Sequence, residues 1–388
     1  MGSSRRSPVR IALLTCVALL GVLAVAPRSG AATSTADRNL QRALDAFVKG
    51  ADGSPGISAV VQRGAHPAVL MSAGVADTTT KQPITAGDAM RLASVAKAFS
   101  GAAALSAVAD GKLALDDTVG QVLPDQPAAW ADVTLAQLLQ HVSGVPDFSA
   151  SESFRSALVA SLTVAPPPEQ LLTYVADDPL VFTPGTKYEY SNSDNILVAL
   201  MLAAVDGASY EDSLMTRVYE PLRLSNTSLP SGVELPTPFV HGYQPDPPNA
   251  LEDVSEVVAA GWAWASGGLV STPEDANRFI RGYASGGTTT AAVQAEQFRF
   301  RVGKSDPTGP GTNAAGLGIF RYRTRCGVVF GHTGNTAGFT QFIGSTRDGE
   351  RSAVVTINAQ ITQKSNSKRF PELRNIFTLA ACAALEGA

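Results

Sequence analysis

Strand-forming segments sit at both ends of this 388-residue chain, and helical ones fill its middle. Near the start, an amphipathic helix over about Ala36–Lys49 places Leu40, Leu44, Phe47 and Val48 on one face. Ile57–Val61 and Ala68–Met71 follow as short strands bordered by Gly and Pro. Strand character returns at Gly318–Tyr322, Gly327–Phe330, Gly338–Ile343 and Ser352–Ile357, all rich in β-branched or aromatic residues. Asp348-Gly349 supplies a hairpin turn between the last two, and a helix over about Pro371–Leu385 closes the chain. Between these ends, Val95–Ala109 reads as a buried Ala-rich helix stopped by Asp110-Gly111. From about Leu113 to Ala284, helical segments (Val133–His141, Glu169–Val175, Asp194–Val205, Pro273–Tyr283) alternate with Pro/Gly loops. This order predicts an α/β (α+β) fold: an antiparallel sheet from both chain ends, flanked by helices, beside an all-helical section over about 113–284. A cleft between two such parts is a favoured place for a site.

Hydrophobic residues make up 45% of the chain and charged ones 16%, a balance that suits a large packed core. The net charge of −4 gives no electrostatic reason for a nucleic-acid partner. Arg5, Arg6 and Arg10, then the apolar run Ile11–Ala26, then Gly30, Ala31 and Ala32 read as a secretory signal cleaved near Ala32. The expectation is therefore an extracellular mature chain over 33–388, with no stable membrane anchor. Two cysteines remain, Cys326 and Cys382; they can pair in an oxidising compartment or stay as buried thiols. His66, His141, His241 and His332 lie far apart and no H-E-x-x-H pattern occurs, so neither a metal nor another cofactor is expected.

Three short motifs can carry chemistry. In Ser94-Val95-Ala96-Lys97 a hydroxyl and an amine share one face of the first turn of an apolar helix. Burial disfavours the charged ammonium there, so Lys97 can take a proton, and the helix start favours charge developing on Ser94 Oγ. Tyr190-Ser191-Asn192 lies between the turn Phe182-Thr183-Pro184-Gly185 and the helix near Asp194. It can present a phenol for proton relay and an amide for substrate binding, although a plain helix N-cap needs the same residue types. His332-Thr333-Gly334 follows the strand ending at Phe330; its glycine allows close approach of a substrate backbone, and His332 and Thr333 can meet a carboxylate or carbonyl.

The three motifs in this order resemble the S-x-x-K, Y-x-N and K/H-T-G signatures of the penicillin-recognising serine enzymes, which include class C β-lactamases, low-molecular-mass DD-peptidases and related esterases. The H-T-G form is most similar to the secreted Streptomyces-type D-alanyl-D-alanine carboxypeptidases. Leu138-Leu139-Gln140-His141-Val142-Ser143-Gly144 and the segment from Trp262 to Asp275 resemble further family stretches. The resemblance covers nearly all of the mature chain and implies a β-lactamase/transpeptidase-like fold. It also implies Ser94 as nucleophile, Lys97 and Tyr190 sharing proton transfer, and Asn192 on the substrate amide. His332, Thr333 and Gly334 would line the site, with the backbone N–H groups of Ser94 and Asn335 forming the oxyanion hole. Trp262 would be an aromatic wall, and Cys326–Cys382 the disulfide. One position departs from the peptidase pattern: Phe320 stands where an arginine grips the substrate carboxylate, and Arg321 is next door.

The expected partner is a small peptide or β-lactam, with peptidoglycan as the larger candidate. The readings in competition are a D-Ala-D-Ala carboxypeptidase, a β-lactamase, esterase or D-amino-acid amidase using the same machinery, and a non-catalytic penicillin- or cell-wall-binding domain.

Overall fold

The computed structural model describes residues 1–2, 34–50, 53–245, 251–364 and 366–386. Of the expected signal segment, 1–32, residues 3–32 lie outside the described residues. Residues from Thr35 onward form one compact unit.

Helix α1 (Thr35–Lys49) leads into strands β1 (Gly56–Arg63) and β2 (Val69–Gly74). Helix α2 (Ala96–Ala109) opens the helical section, α3 (Asn192–Asp206) crosses it and α4 (Pro273–Ala284) ends it. The chain then returns to the sheet as β3 (Arg301–Val302), β4 (Thr312–Ala315), β5 (Phe320–Thr324), β6 (Gly327–Thr336), β7 (Phe339–Ser345) and β8 (Arg351–Ile357), before helix α5 (Phe370–Leu385). The eight strands run in the order β2-β1-β8-β7-β6-β5-β4-β3, and every neighbouring pair is antiparallel. Ile57 opposes Ile357 across the β1–β8 seam, so the two ends of the chain do form one sheet.

Period-two alternation sorts the sheet into two faces. Ile57, Ala59 and Val61 of β1 pack with Leu40, Leu44 and Phe47 of α1 and with Leu373 and Phe377 of α5. Val60 points the other way, into the larger core around Phe99 of α2 and Phe279 of α4. Each of these Ile, Val, Leu and Phe side chains contributes roughly 1.5–3 kcal/mol by leaving water. The same alternation later decides which β6 side chains approach the Ser94 turn.

Some boundaries differ from the sequence expectation. Strand β6 continues past Phe330 to Thr336 because β7 pairs with it along that whole stretch, so His332-Thr333-Gly334 lies within a strand. The helix expected over Val133–His141 shrinks to Leu135–Leu139, since His141 takes a left-handed conformation at φ +55°. Glu169–Val175 is 3-10 rather than α-helix, starting at Pro168. The short strands β3 and β4 carry too little apolar alternation to be read in advance.

Candidate active site

Ser94 lies in a 3-10 turn, Ala93–Val95, that feeds directly into α2. Met90–Arg91 pair with Val270–Ser271, and Leu92 N–H donates to Leu269 O at 2.9 Å, so the turn is tied to the Gly267-Gly268-Leu269 segment. Ala93 is held at φ +50°, a conformation costing an L-residue about 1 kcal/mol, directly before the serine. Ser94 is half-buried while the residues on both sides of it are buried.

Gly334 of β6 backs onto this turn. A Cβ there would come within 2.2 Å of Leu92 O and 3.2 Å of Ser94 N. The glycine therefore lets the strand approach the nucleophile turn. Gly334→Ala is expected to push β6 from the turn, lowering kcat by about tenfold or more and destabilising the fold by about 1–3 kcal/mol; thermal melts and steady-state kinetics check it.

Lys97 is 2% exposed, and its three contacts are all in place. Nζ lies 3.2 Å from Ser94 Oγ, 2.7 Å from Asn192 Oδ1 and 2.6 Å from Ser266 O. Burial pulls its pKa down to about 7, against the opposing pull of Asp147, Asp306 and Asp194. An ammonium donates all three bonds. A neutral amine donates to Asn192 and Ser266 and keeps a lone pair for the Ser94 hydroxyl.

Tyr190 stands beside this group, with Lys97 Nζ 5.0 Å from its ring centre. Among the described residues its hydroxyl is buried without a hydrogen bond of good geometry. Burial raises its pKa well above the ordinary 10, and the nearby Ser94 offsets only part of the rise, so the phenol stays protonated. Beneath it lies the His141 ring, centroid 4.4 Å away. His141 Nδ1 meets Asp194 Oδ2 at 2.9 Å, and the Ser143 hydroxyl donates to the same carboxyl. Burial drives Asp194 upward and, aided by the Lys97 charge, His141 down to about 3.

The remaining β6 residues part ways. His332 and Thr333 are buried and do not face the cleft. His332 Nδ1 contacts Thr333 O, its ring packs against Phe320, and burial holds it near pKa 3. It is thus neutral at ordinary pH. Thr333 Oγ1 donates to Pro307 O at 2.6 Å. Asn335 does line the cleft, its amide donating to Ile361 O. Phe320 is buried, and the Arg321 guanidinium lies 4.9 Å over the Phe300 ring, so neither offers a cation to the cleft. Cys326 and Cys382 are bonded, Cα–Cα 5.2 Å, linking the start of β6 to α5.

Ser94, Tyr190, Asn192 and Asn335 open into one cleft of about 730 Å³. Trp262 forms part of its wall with Phe148, Phe154 and Leu158, its Nε1–H donating to Ser161 O at 2.9 Å. The family model described as Beta-lactamase matches residues 40–376. The chain belongs to the Beta-lactamase family.

Among curated Beta-lactamase-family relatives, a beta-lactamase of Escherichia coli K12 is 29% identical over 40% of this chain and 38% of its own length. Penicillin-binding protein 4* of Bacillus subtilis is 27% identical over 54% and 48%, and a D-aminopeptidase of Cereibacter sphaeroides 30% identical over 53% and 39%. The matches thus span less than half the length of these relatives. A D-stereospecific amidohydrolase from a Streptomyces species superposes with TM-score 0.75 and 25% identity, covering 87% of this chain and 98% of that one. D-amino acid amidase from Ochrobactrum anthropi SV3 shares the fold, with TM-score 0.78 and 23% identity over 91% and 99%.

Within this Beta-lactamase-family cleft, the sequence reading missed Asp147. Its carboxylate accepts from the Asn192 amide at 3.1 Å and from the Ser149 backbone and hydroxyl at 3.0 and 2.9 Å. Asn192 is consequently engaged on both sides, by Lys97 and by Asp147. The Ser266 carbonyl was missed too, because a backbone acceptor leaves no mark on residue identity.

Proposed function

We propose that this serine hydrolase forms an acyl-enzyme through Ser94 on D-aminoacyl amides and peptides whose amino group is free. Neutral Lys97 takes the Ser94 proton as Oγ bonds to the carbonyl carbon. The backbone N–H groups of Ser94 and Asn335 hold the oxyanion, a contribution of roughly 3–4 kcal/mol in related chemistry. The C–N bond then breaks, and Tyr190 passes the proton to the leaving nitrogen. Water attacks the ester, Lys97 again takes a proton, and Ser94 is restored.

The observation that carries the D-aminoacyl reading is Asp147, a carboxylate lining the cleft beside Asn192, where the strand position expected to grip a substrate carboxylate has no cation. An acid so placed suits an ammonium. The names of the D-aminopeptidase and amidohydrolase relatives support this direction. Asp147→Asn is expected to raise KM for a D-aminoacyl amide by about 10- to 100-fold, the worth of a charge-assisted bond, while sparing an N-acylated analogue. Equal loss on both substrates would remove Asp147 from amine recognition.

A D-Ala-D-Ala carboxypeptidase is the second reading. It is favoured by β6, which beyond Gly331 has no β5 partner and leaves an edge against which an extended peptide can pair. Turnover of diacyl-D-Ala-D-Ala, with D-aminoacyl amides left intact, would select it. Rapid hydrolysis of a chromogenic cephalosporin would instead select a β-lactamase. We also place the protein outside the cell: the basic and apolar N-terminal segment and the Cys326–Cys382 bond both suit export.

A further inference from the structure

We propose that a second cavity beside the cleft is the leaving-group site, and that it receives an α-amino acid whose carboxylate is held by Lys304. The inference rests on the D-aminoacyl reading above and assigns the other half of the substrate.

The cavity holds about 370 Å³, within the range of small-molecule sites. Tyr190, Asp306, Thr362 and Gln363 line both it and the cleft, so the two spaces adjoin at the tyrosine that serves the leaving nitrogen. A primary amide releases ammonia, which carries nothing to fill this space. A peptide releases an amine with a backbone and a side chain.

The loop that walls the cavity is fixed from below. The Ser305 hydroxyl, buried, accepts from the Tyr322 hydroxyl at 3.0 Å and from Gly309 N–H at 3.1 Å. Thr333 pins Pro307 O, and the Tyr188 hydroxyl donates to Lys304 O at 2.5 Å. A satisfied buried polar network of this kind holds a loop in one geometry before ligand arrives. The loop displays Lys304 exposed at the cavity, and among the described residues its ammonium makes no ion pair. Of the two acids at the cavity, Glu189 is already paired with Lys187 at 3.0 Å, and Asp306 lies on the boundary shared with the cleft. Lys304 therefore brings a cation to the cavity, whereas Phe320 and Arg321 line neither the cavity nor the cleft. The bond chemistry is unchanged: the acyl C–N bond breaks, the amino acid's nitrogen takes the proton, and the free amino acid leaves through the second cavity before water enters.

The test uses purified wild-type protein with D-phenylalaninamide, D-phenylalanyl-glycine and D-phenylalanyl-glycinamide. The dipeptide is expected to exceed the primary amide in kcat/KM by about tenfold. Lys304→Gln should lower the ratio of D-phenylalanyl-glycine to D-phenylalanyl-glycinamide turnover by about tenfold, through KM. Thr308→Trp, which fills the cavity from its wall, should lower both peptides relative to the primary amide. Amide turnover as fast as dipeptide turnover, or a ratio unmoved by Lys304→Gln, overturns the assignment while the D-aminoacyl reading stands. Failure of all three substrates overturns both.

Discussion

Ser94→Ala is expected to abolish covalent labelling by a fluorescent penicillin and to lower kcat/KM on any substrate of the wild-type protein by about 10⁴-fold or more. The size follows from what is removed. Without Oγ no acyl-enzyme forms, and what remains is the oxyanion hole and binding, acting on water. The variant should fold normally. Among the described residues the hydroxyl's one hydrogen bond of good geometry is the 3.2 Å contact with Lys97, and Lys97 keeps Asn192 and Ser266 O as partners. A thermal midpoint within a few degrees of wild type would therefore accompany the loss of activity. Other hydroxyl-bearing residues line the cleft: Ser149, Tyr190, Ser266, Thr336 and Thr362. Labelling that survives in Ser94→Ala would move the nucleophile to one of these and take the proposed mechanism with it.

Residues were legible in the sequence where local geometry alone brings them together. Ser94 and Lys97 are three apart at the start of one helix, so the chain's own pitch sets their distance. Tyr190 and Asn192 flank the first turn of α3, again a local matter. Both sheet-forming ends could be read because short runs rich in apolar and β-branched residues, such as Ile57–Val61, are bounded by Gly and Pro. Asp147 could not be read. It is one acid in a loop, and its contact with Asn192 spans 45 residues and depends on how that loop packs against α3. His332 shows the opposite limit. Its motif was visible, but its direction turns on β6 continuing to Thr336, which only pairing with β7 decides. Gly334 was noticed for the absence of a side chain, but its closeness to Leu92 O belongs to tertiary packing and leaves no local mark. Lys304 carries no local signature at all; its place follows from Tyr322, Ser305 and Thr333 fixing a loop whose anchors are spread over three segments.

Lys97→Met is expected to lower kcat/KM by about 10³–10⁴-fold, the usual worth of a positioned general base, and also to erase the acid side of the pH profile. The base must be the neutral amine, and burial sets its pKa at about 7. In the wild type, log kcat/KM should then rise with unit slope as pH approaches 7 and level off above it. A second limb falls near pH 8 for free-amine substrates, where an α-amino group of pKa about 7.7–8.0 loses the charge that Asp147 recognises. An N-acylated substrate, if turned over, lacks that limb. Folding stability supplies a check independent of catalysis. The folded pKa lies below the ordinary 10.5, so between pH 7 and 10.5 the unfolded chain binds more protons than the folded one. The contribution of Lys97 to stability is full above that window and is lost as pH falls through 7. Compared with Lys97→Met, the wild type should therefore gain stability as pH rises from about 6 to about 9, measured by thermal or urea melts. A difference between the two proteins that stays flat across that range would mean Lys97 is charged throughout. The unprotonated amine, and the proton path built on it, would then be lost even if the methionine variant were inactive.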